Sequence, residues 1–75
     1  MKDLVEYIIK TLVDDPSQVQ VTETQRGHTL ALELRVAPED MGRVIGKSGR
    51  VINAIRTLLR VVAIREDLRI ELELD

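Results

Sequence analysis

Cysteine is absent from this 75-residue chain, so it has neither a disulfide framework nor a thiolate metal site. A cysteine-free composition suits a reducing cytoplasm. Histidine occurs once, at His28, and a single imidazole cannot assemble a zinc site. Phe and Trp are missing and Tyr7 is the sole aromatic side chain, which argues against modules that stack bases on aromatic platforms. No apolar run approaches membrane-spanning length, and Lys2, Asp3 and Glu6 break up any signal-peptide core. The expectation is a soluble, cytoplasmic protein. No nucleophile–base pair, carboxylate dyad or metal cluster stands out, so the sequence points away from an enzyme and from any cofactor.

What is present has the balance of a folded globular chain. Hydrophobic residues make up 44% and charged residues 32%, unlike a disordered tail. The apolar residues are almost all Leu, Ile and Val, and residues 1–75 leave room for one small domain. A net charge of −2 speaks on its face against a nucleic-acid partner, but the charge is unevenly spread. From Pro38 to Arg65 six basic residues (Arg43, Lys47, Arg50, Arg56, Arg60 and Arg65) face only Glu39 and Asp40, a local +4. The rest of the chain carries five basic and eleven acidic groups, or −6. It is the local field that steers an anionic ligand.

Apolar residues at Leu4, Val5, Ile8, Ile9, Leu12 and Val13 predict an amphipathic helix, ended by Asp14-Asp15-Pro16. From Val19 the period changes to two. Val19 and Val21 begin a strand, Arg26-Gly27-His28 makes a short turn, and Leu30, Leu32, Leu34 and Val36 form the buried face of a second strand. Pro38, followed by Glu39 and Asp40, suits the first turn of a short helix. A longer helix follows from about residue 48 to 64, with Val51, Ile52, Ile55, Leu58, Leu59 and Val62 in one arc. Arg50, Asn53, Arg56, Thr57 and Arg60 fall on the opposite side. Leu68, Ile70, Leu72 and Leu74 alternate with charged residues in a last strand. The order α-β-β-α-α-β predicts an α+β fold: an antiparallel hairpin, a long crossover to a parallel third strand, and three helices on one face of the mixed sheet.

The stretch GRVIGKSG at residues 42–49 nearly spells a nucleotide-triphosphate loop, but it is a residue short and has no strand before it. A second reading is a bare helical corner in which glycines permit the bend. The surroundings favour a third. Lys47 and Arg50 bring positive charge to a turn that feeds the N-terminus of the longest helix, where unpaired N–H groups favour an anion. Gly46 and Gly49 leave no Cβ to keep a sugar-phosphate chain from the backbone, and Ser48 adds a hydroxyl donor.

Val44-Ile45-Gly46-Lys47-Ser48-Gly49-Arg50-Val51-Ile52 resembles the V-I-G-x-x-G-x-x-I signature of KH domains, whose GXXG loop clamps nucleic-acid backbone. The element order is similar to the type II form, and size and the run GKSGRVINAIRTLLR resemble the small single-domain bacterial KH proteins of the KhpA kind. The resemblance covers essentially the whole chain. It implies a cytoplasmic, non-catalytic RNA-binding protein, a post-transcriptional regulator or RNA chaperone, that pairs with itself or with a second KH-containing protein. Gly46 and Gly49 match the loop glycines, Lys47 and Ser48 the pair between them, and Val44 and Ile45 the apolar pair before the loop. The implied groove has an apolar floor for about four single-stranded nucleotides. Its other side involves the second strand and the variable loop, here Arg26-Gly27-His28. That loop is short, which implies modest affinity and low sequence specificity.

The binding residues implied are thus Gly46, Lys47, Ser48, Gly49, Arg50, Val44 and Ile45. Arg56 and Arg60 read as solvated surface, His28 as an exposed turn residue, Asp14-Asp15 as a helix end, and Tyr7 as packing at a helix edge. Val61, Ile64 and Ala54 lie outside the apolar arc, which leaves a broader core or a dimer patch. An alternative function is a protein–protein adapter in a ribonucleoprotein complex, with RNA contact secondary.

Overall fold

The structure is a computed structural model describing residues 1–75. The first helix, α1, spans Lys2–Leu12 and buries Val5 and Ile9. Its continuation is blocked by Pro16, which opens a single 3-10 turn, Pro16–Gln18. The Asp15 carboxylate accepts hydrogen bonds from the Ser17 hydroxyl (2.5 Å) and the Gln18 amide (2.6 Å), contacts that hold its carboxyl below the usual range.

The hairpin strands are β1 (Gln20–Arg26) and β2 (Thr29–Arg35), antiparallel and in register from Gln20 opposite Arg35 to Arg26 opposite Thr29. After another 3-10 turn, Pro38–Asp40, come α2 (Met41–Ile45) and α3 (Arg50–Arg65), and then β3 (Arg69–Leu74). β3 runs parallel to β2, so the sheet order is β1-β2-β3 with β2 in the centre. This is the mixed sheet and helix set expected of the type II KH arrangement.

One apolar cluster joins all the elements. Leu32 and Leu34 of β2, Val21 of β1 and Leu72 of β3 are buried against Val5, Ile9, Val44, Ile52, Ile55 and Leu59 from the helices. The opposite face of the sheet, with Thr22, Thr24, Glu33, Glu71 and Glu73, is open to solvent. No helix is long and apolar enough to cross a membrane.

Two details depart from the periodicity. Leu58 is not in the core: it is 57% exposed, while Ala63, outside the expected arc, is buried. The buried stripe of α3 is Ile52, Ile55, Leu59 and Ala63. The helix is therefore turned by roughly 45°, under half of one residue step of a 3.6-residue turn. That turn sets Arg56 against β3 and swings Leu58 outward. Tyr7 likewise is exposed rather than packed at the helix edge.

The only buried charged residue is Asp40, 1% exposed. Its position before α2 suggests a helix-capping role, yet its side chain makes no cap hydrogen bond. Instead its two oxygens accept the backbone N–H groups of Asp14 (3.0 Å) and Asp15 (3.1 Å), more than twenty residues away. The Arg43 guanidinium reinforces the same junction, 3.1 Å from the Asp14 carboxylate. The corner between α1 and β1 is thus tied to the start of α2. Replacing Asp40 with Ala orphans both N–H groups and is expected to cost about 2–4 kcal/mol in urea denaturation, with Asp40→Asn, which keeps one acceptor, between it and wild type.

Candidate nucleic-acid interface

Five residues of α2 end at Gly46, whose backbone (φ 75°, ψ 169°) turns the chain out of the helix. The Gly46 N–H still donates to the Gly42 carbonyl at 2.9 Å, so Gly42 is a helix residue and not part of a nucleotide loop. A Cβ on Gly46 would stand 2.5 Å from Val51 Cγ2 and 2.9 Å from the Val51 backbone nitrogen. Gly49 (φ 76°, ψ 14°) closes the turn, donating its N–H to the Gly46 carbonyl at 3.1 Å, and α3 starts at once. Between them Ser48 takes the left-handed conformation (φ 57°, ψ 25°) and points its short side chain outward.

The result is a four-residue turn held outside the core at the head of a 16-residue helix. Lys47, Ser48 and Arg50 are exposed, and neither cation is engaged in an ion pair. Arg43, by contrast, is occupied by Asp14. Two free cations and the positive end of α3 converge on one surface, an arrangement suited to holding phosphate without reacting with it. No three carboxylates or imidazoles come together in a way that could hold a metal ion.

The flanking apolar pair divides. Ile45 is half-buried at the edge of the turn, but Val44, expected to line the groove, is fully buried in the core. With α2 so short, one of two consecutive side chains must face inward, and Val44 is the one that anchors the turn from beneath.

The far wall also differs from expectation. β2 is paired along both edges, so it has no free edge beside α3. The strand beside α3 is β3, and a cleft of about 550 Å³ runs between them, lined by Arg56, Arg60, Ile64, Leu68 and Ile70 among others. Arg56, read from the sequence as solvated surface, bridges this cleft: Nε and Nη2 donate to the Leu72 carbonyl at 3.3 and 3.0 Å. Its Nη1 reaches Asn53 Oδ1 at 3.4 Å, and Asn53 in turn borders Gly49. Sequence periodicity placed Asn53 and Arg56 together but could not show that β3 lies against them. The hairpin turn sits at the other end of α3, its His28 carbonyl accepting the Arg69 N–H at 2.6 Å. His28 itself is exposed.

Charge separates by face. The turn and the cleft side of α3 carry Lys47, Arg50, Arg56 and Arg60, whereas the open sheet face carries Glu33, Glu71 and Glu73, with Glu33 directly beside Glu73 in register.

A family model for the KhpA/KhpB KH domain matches residues 2–74 of the chain. Over 74 residues the chain is 51% identical to the RNA-binding protein KhpA of Clostridium acetobutylicum, covering 99% of both chains. It is 53% identical over 74 residues to the RNA-binding protein KhpA of Chlamydia caviae, covering 99% of this chain and 95% of that one. The protein of the same name from Caldanaerobacter subterraneus subsp. tengcongensis is 49% identical, with 99% of each chain covered. No solved structure gives a significant match.

The two glycines are expected to differ in what they tolerate. Gly46→Ala meets both a positive φ and the backbone of Val51, and should destabilise the protein by about 2 kcal/mol or more. Gly49→Ala meets only the movable Asn53 amide and should cost about 1 kcal/mol. Paired urea melts of the two variants measure the difference.

Proposed function

Because the chain belongs to the KhpA/KhpB KH-domain family, we propose that it is a non-catalytic RNA-binding protein that holds about four nucleotides of single-stranded RNA through its GXXG turn. The observation that carries this reading is the delivery of two unpaired cations, Lys47 and Arg50, to the positive end of α3 by a turn whose glycines admit a phosphate chain. Gly46 and Gly49 let the backbone approach, Ser48 donates a hydroxyl hydrogen bond, and Ile45 offers an apolar edge. Val44 contributes from the core, as a support for the turn. The acidic sheet face repels a polyanion and confines it to the turn side. The names of the relatives, all RNA-binding proteins, support the same ligand. The role that fits is that of a cytoplasmic post-transcriptional regulator or RNA chaperone.

A second reading, an adapter that assembles with another KH protein or with its own copy, is favoured by one observation. Leu58 (57% exposed), Val61 (52%) and Ile64 (77%) lie along the solvent side of α3, so the broader core that would have explained them is not there. A small domain gains stability by covering such a stripe. The proposal is that RNA binding and pairing use separate surfaces, the turn for one and the outer side of α3 for the other.

Lys47→Asp with Ser48→Asp should leave the fold intact, as both side chains are exposed, and abolish RNA binding in a filter or anisotropy assay; undiminished binding would remove the assignment. With two cations engaged, log affinity should fall with log salt at a slope of about −1.4, from about −0.7 per phosphate on single strands. Sedimentation at tens of micromolar should show a dimer in wild type and a monomer for Val61→Glu, and a strictly monomeric wild type would refute homodimerisation.

A further inference from the structure

We propose that the free edge of β1, with the acidic depression beside it, takes an extended lysine- or arginine-bearing segment of a partner protein as a fourth, antiparallel strand. This surface is at the opposite edge of the sheet from the α3–β3 cleft, and it shares no residue with the glycine turn or the outer side of α3.

Which backbone groups of β1 are free follows from the ladder. The N–H groups of Arg69 and Asp75 donate to the carbonyls of His28 and Leu34, so even-numbered residues of β2 turn their backbone groups toward β3 and odd-numbered ones toward β1. Glu33 stands opposite Thr22 and Ala31 opposite Thr24, so those two threonines are used within the hairpin. The N–H and C=O of Glu23 and Gln25 therefore point outward. No hydrogen bond outside the hairpin meets them, and both residues are exposed. Val21, next in the series, is buried and bounds the open stretch. The two edges of the sheet differ. At the β3 edge the Leu72 carbonyl is taken by Arg56, whereas β1 has no proline, glycine or lysine to turn a strand away. Four unpaired groups on a regular strand are a template for another strand.

Charge selects the occupant. On the helix side of this edge stands Glu23; on the open face Glu33 lies directly beside Glu73, with Glu71 next along β3. None of the four is in an ion pair. Like charges side by side on neighbouring strands cost stability, and a base brought by a partner relieves that cost. Thr22, Thr24 and Ala31 are short, and with the glutamates they line a depression of about 290 Å³. In an added strand, the residue opposite Glu23 lies on the helix side and the next one, opposite Thr22, on the open face. A base at the first position meets Glu23. At the second, strands about 4.8 Å apart put Glu33 about 10 Å away, a span that arginine and glutamate side chains cover together over the short Thr22. Two adjacent basic residues in a β-forming segment therefore mark the partner, and the same carboxylates repel a nucleic acid. A second copy fits less well: two-fold pairing sets Gln25 opposite Glu23 and brings Gly27 of the hairpin turn against the buried Val21.

The test titrates isotopically labelled protein with short acetylated, amidated peptides of Thr, Val and Gln through which a Lys-Arg pair is walked, followed by NMR. One placement should bind at least about tenfold more tightly than the same peptide with Glu-Glu in place of Lys-Arg. It should slow exchange of the Glu23 and Gln25 amide protons and leave the Lys47 and Ser48 signals unmoved. Methylating the peptide nitrogen opposite Glu23 removes a ladder bond and should weaken binding at least about fivefold. Glu23→Lys, an exposed change, should turn the preference at that position from lysine to glutamate. No binding at millimolar peptide, affinity indifferent to the methyl group, or a Lys-Arg preference kept by Glu23→Lys would overturn the proposal. Protection of the Glu23 and Gln25 amides that grows with protein concentration alone would identify a second copy as the occupant and overturn it too. The glycine turn takes no part, so each of these failures leaves the RNA-binding reading standing.

Discussion

The close approach of Val51 to Gly46 is the constraint from which the rest of the arrangement follows. Nothing larger than hydrogen fits on Gly46, because the backbone nitrogen and side chain of Val51 occupy the space a Cβ would need. This lets α2 stop after five residues and α3 begin after only four intervening residues, with Val44 and Ile52 both reaching the same core. The residues between have no room inside, so Lys47 and Ser48 are forced onto the surface at the head of α3. The site is a by-product of packing two helices as tightly as their backbones allow.

The small size of the chain makes its polar contacts matter. Only 16 of 75 residues are buried, so the core cannot by itself determine the placement of every element. Asp40 does part of that work, accepting two backbone N–H groups from the corner after α1 and so fixing the origin of α2. Arg56 does the corresponding work at the other end of the motif, joining α3 to the edge of β3 through the Leu72 carbonyl. Both tie helices to distant backbone.

Much of this is legible in the residues alone. The change of apolar period from helical spacing at Ile8 and Ile9 to alternation at Val19 and Val21 marks the first boundary, and Gly46 to Gly49 marks the break between α2 and α3. The turn residues and their charge are adjacent in sequence, so their proximity needs no tertiary information. The failures share a cause. Val44 and Ile45 look alike as apolar neighbours, and which of them faces inward depends on where α2 lies over the sheet. Leu58 and Ala63 exchange roles because a helix rotated by less than one residue step buries a different stripe. Asp40 reads from the sequence only as an acidic residue in the first turn of a helix, because the donors it serves, at Asp14 and Asp15, are far away in the chain.

The sequence by itself determined the elements, their order and the glycine turn with its cations, since each rests on local periodicity, backbone sterics or neighbouring charge. Only the tertiary structure decided that β3, not β2, borders the cleft, that Val44 belongs to the core, and that Arg56 is anchored rather than free in solvent. Those are relations between residues distant in the chain, and they are set by how the helices lie on the sheet, which no local pattern encodes.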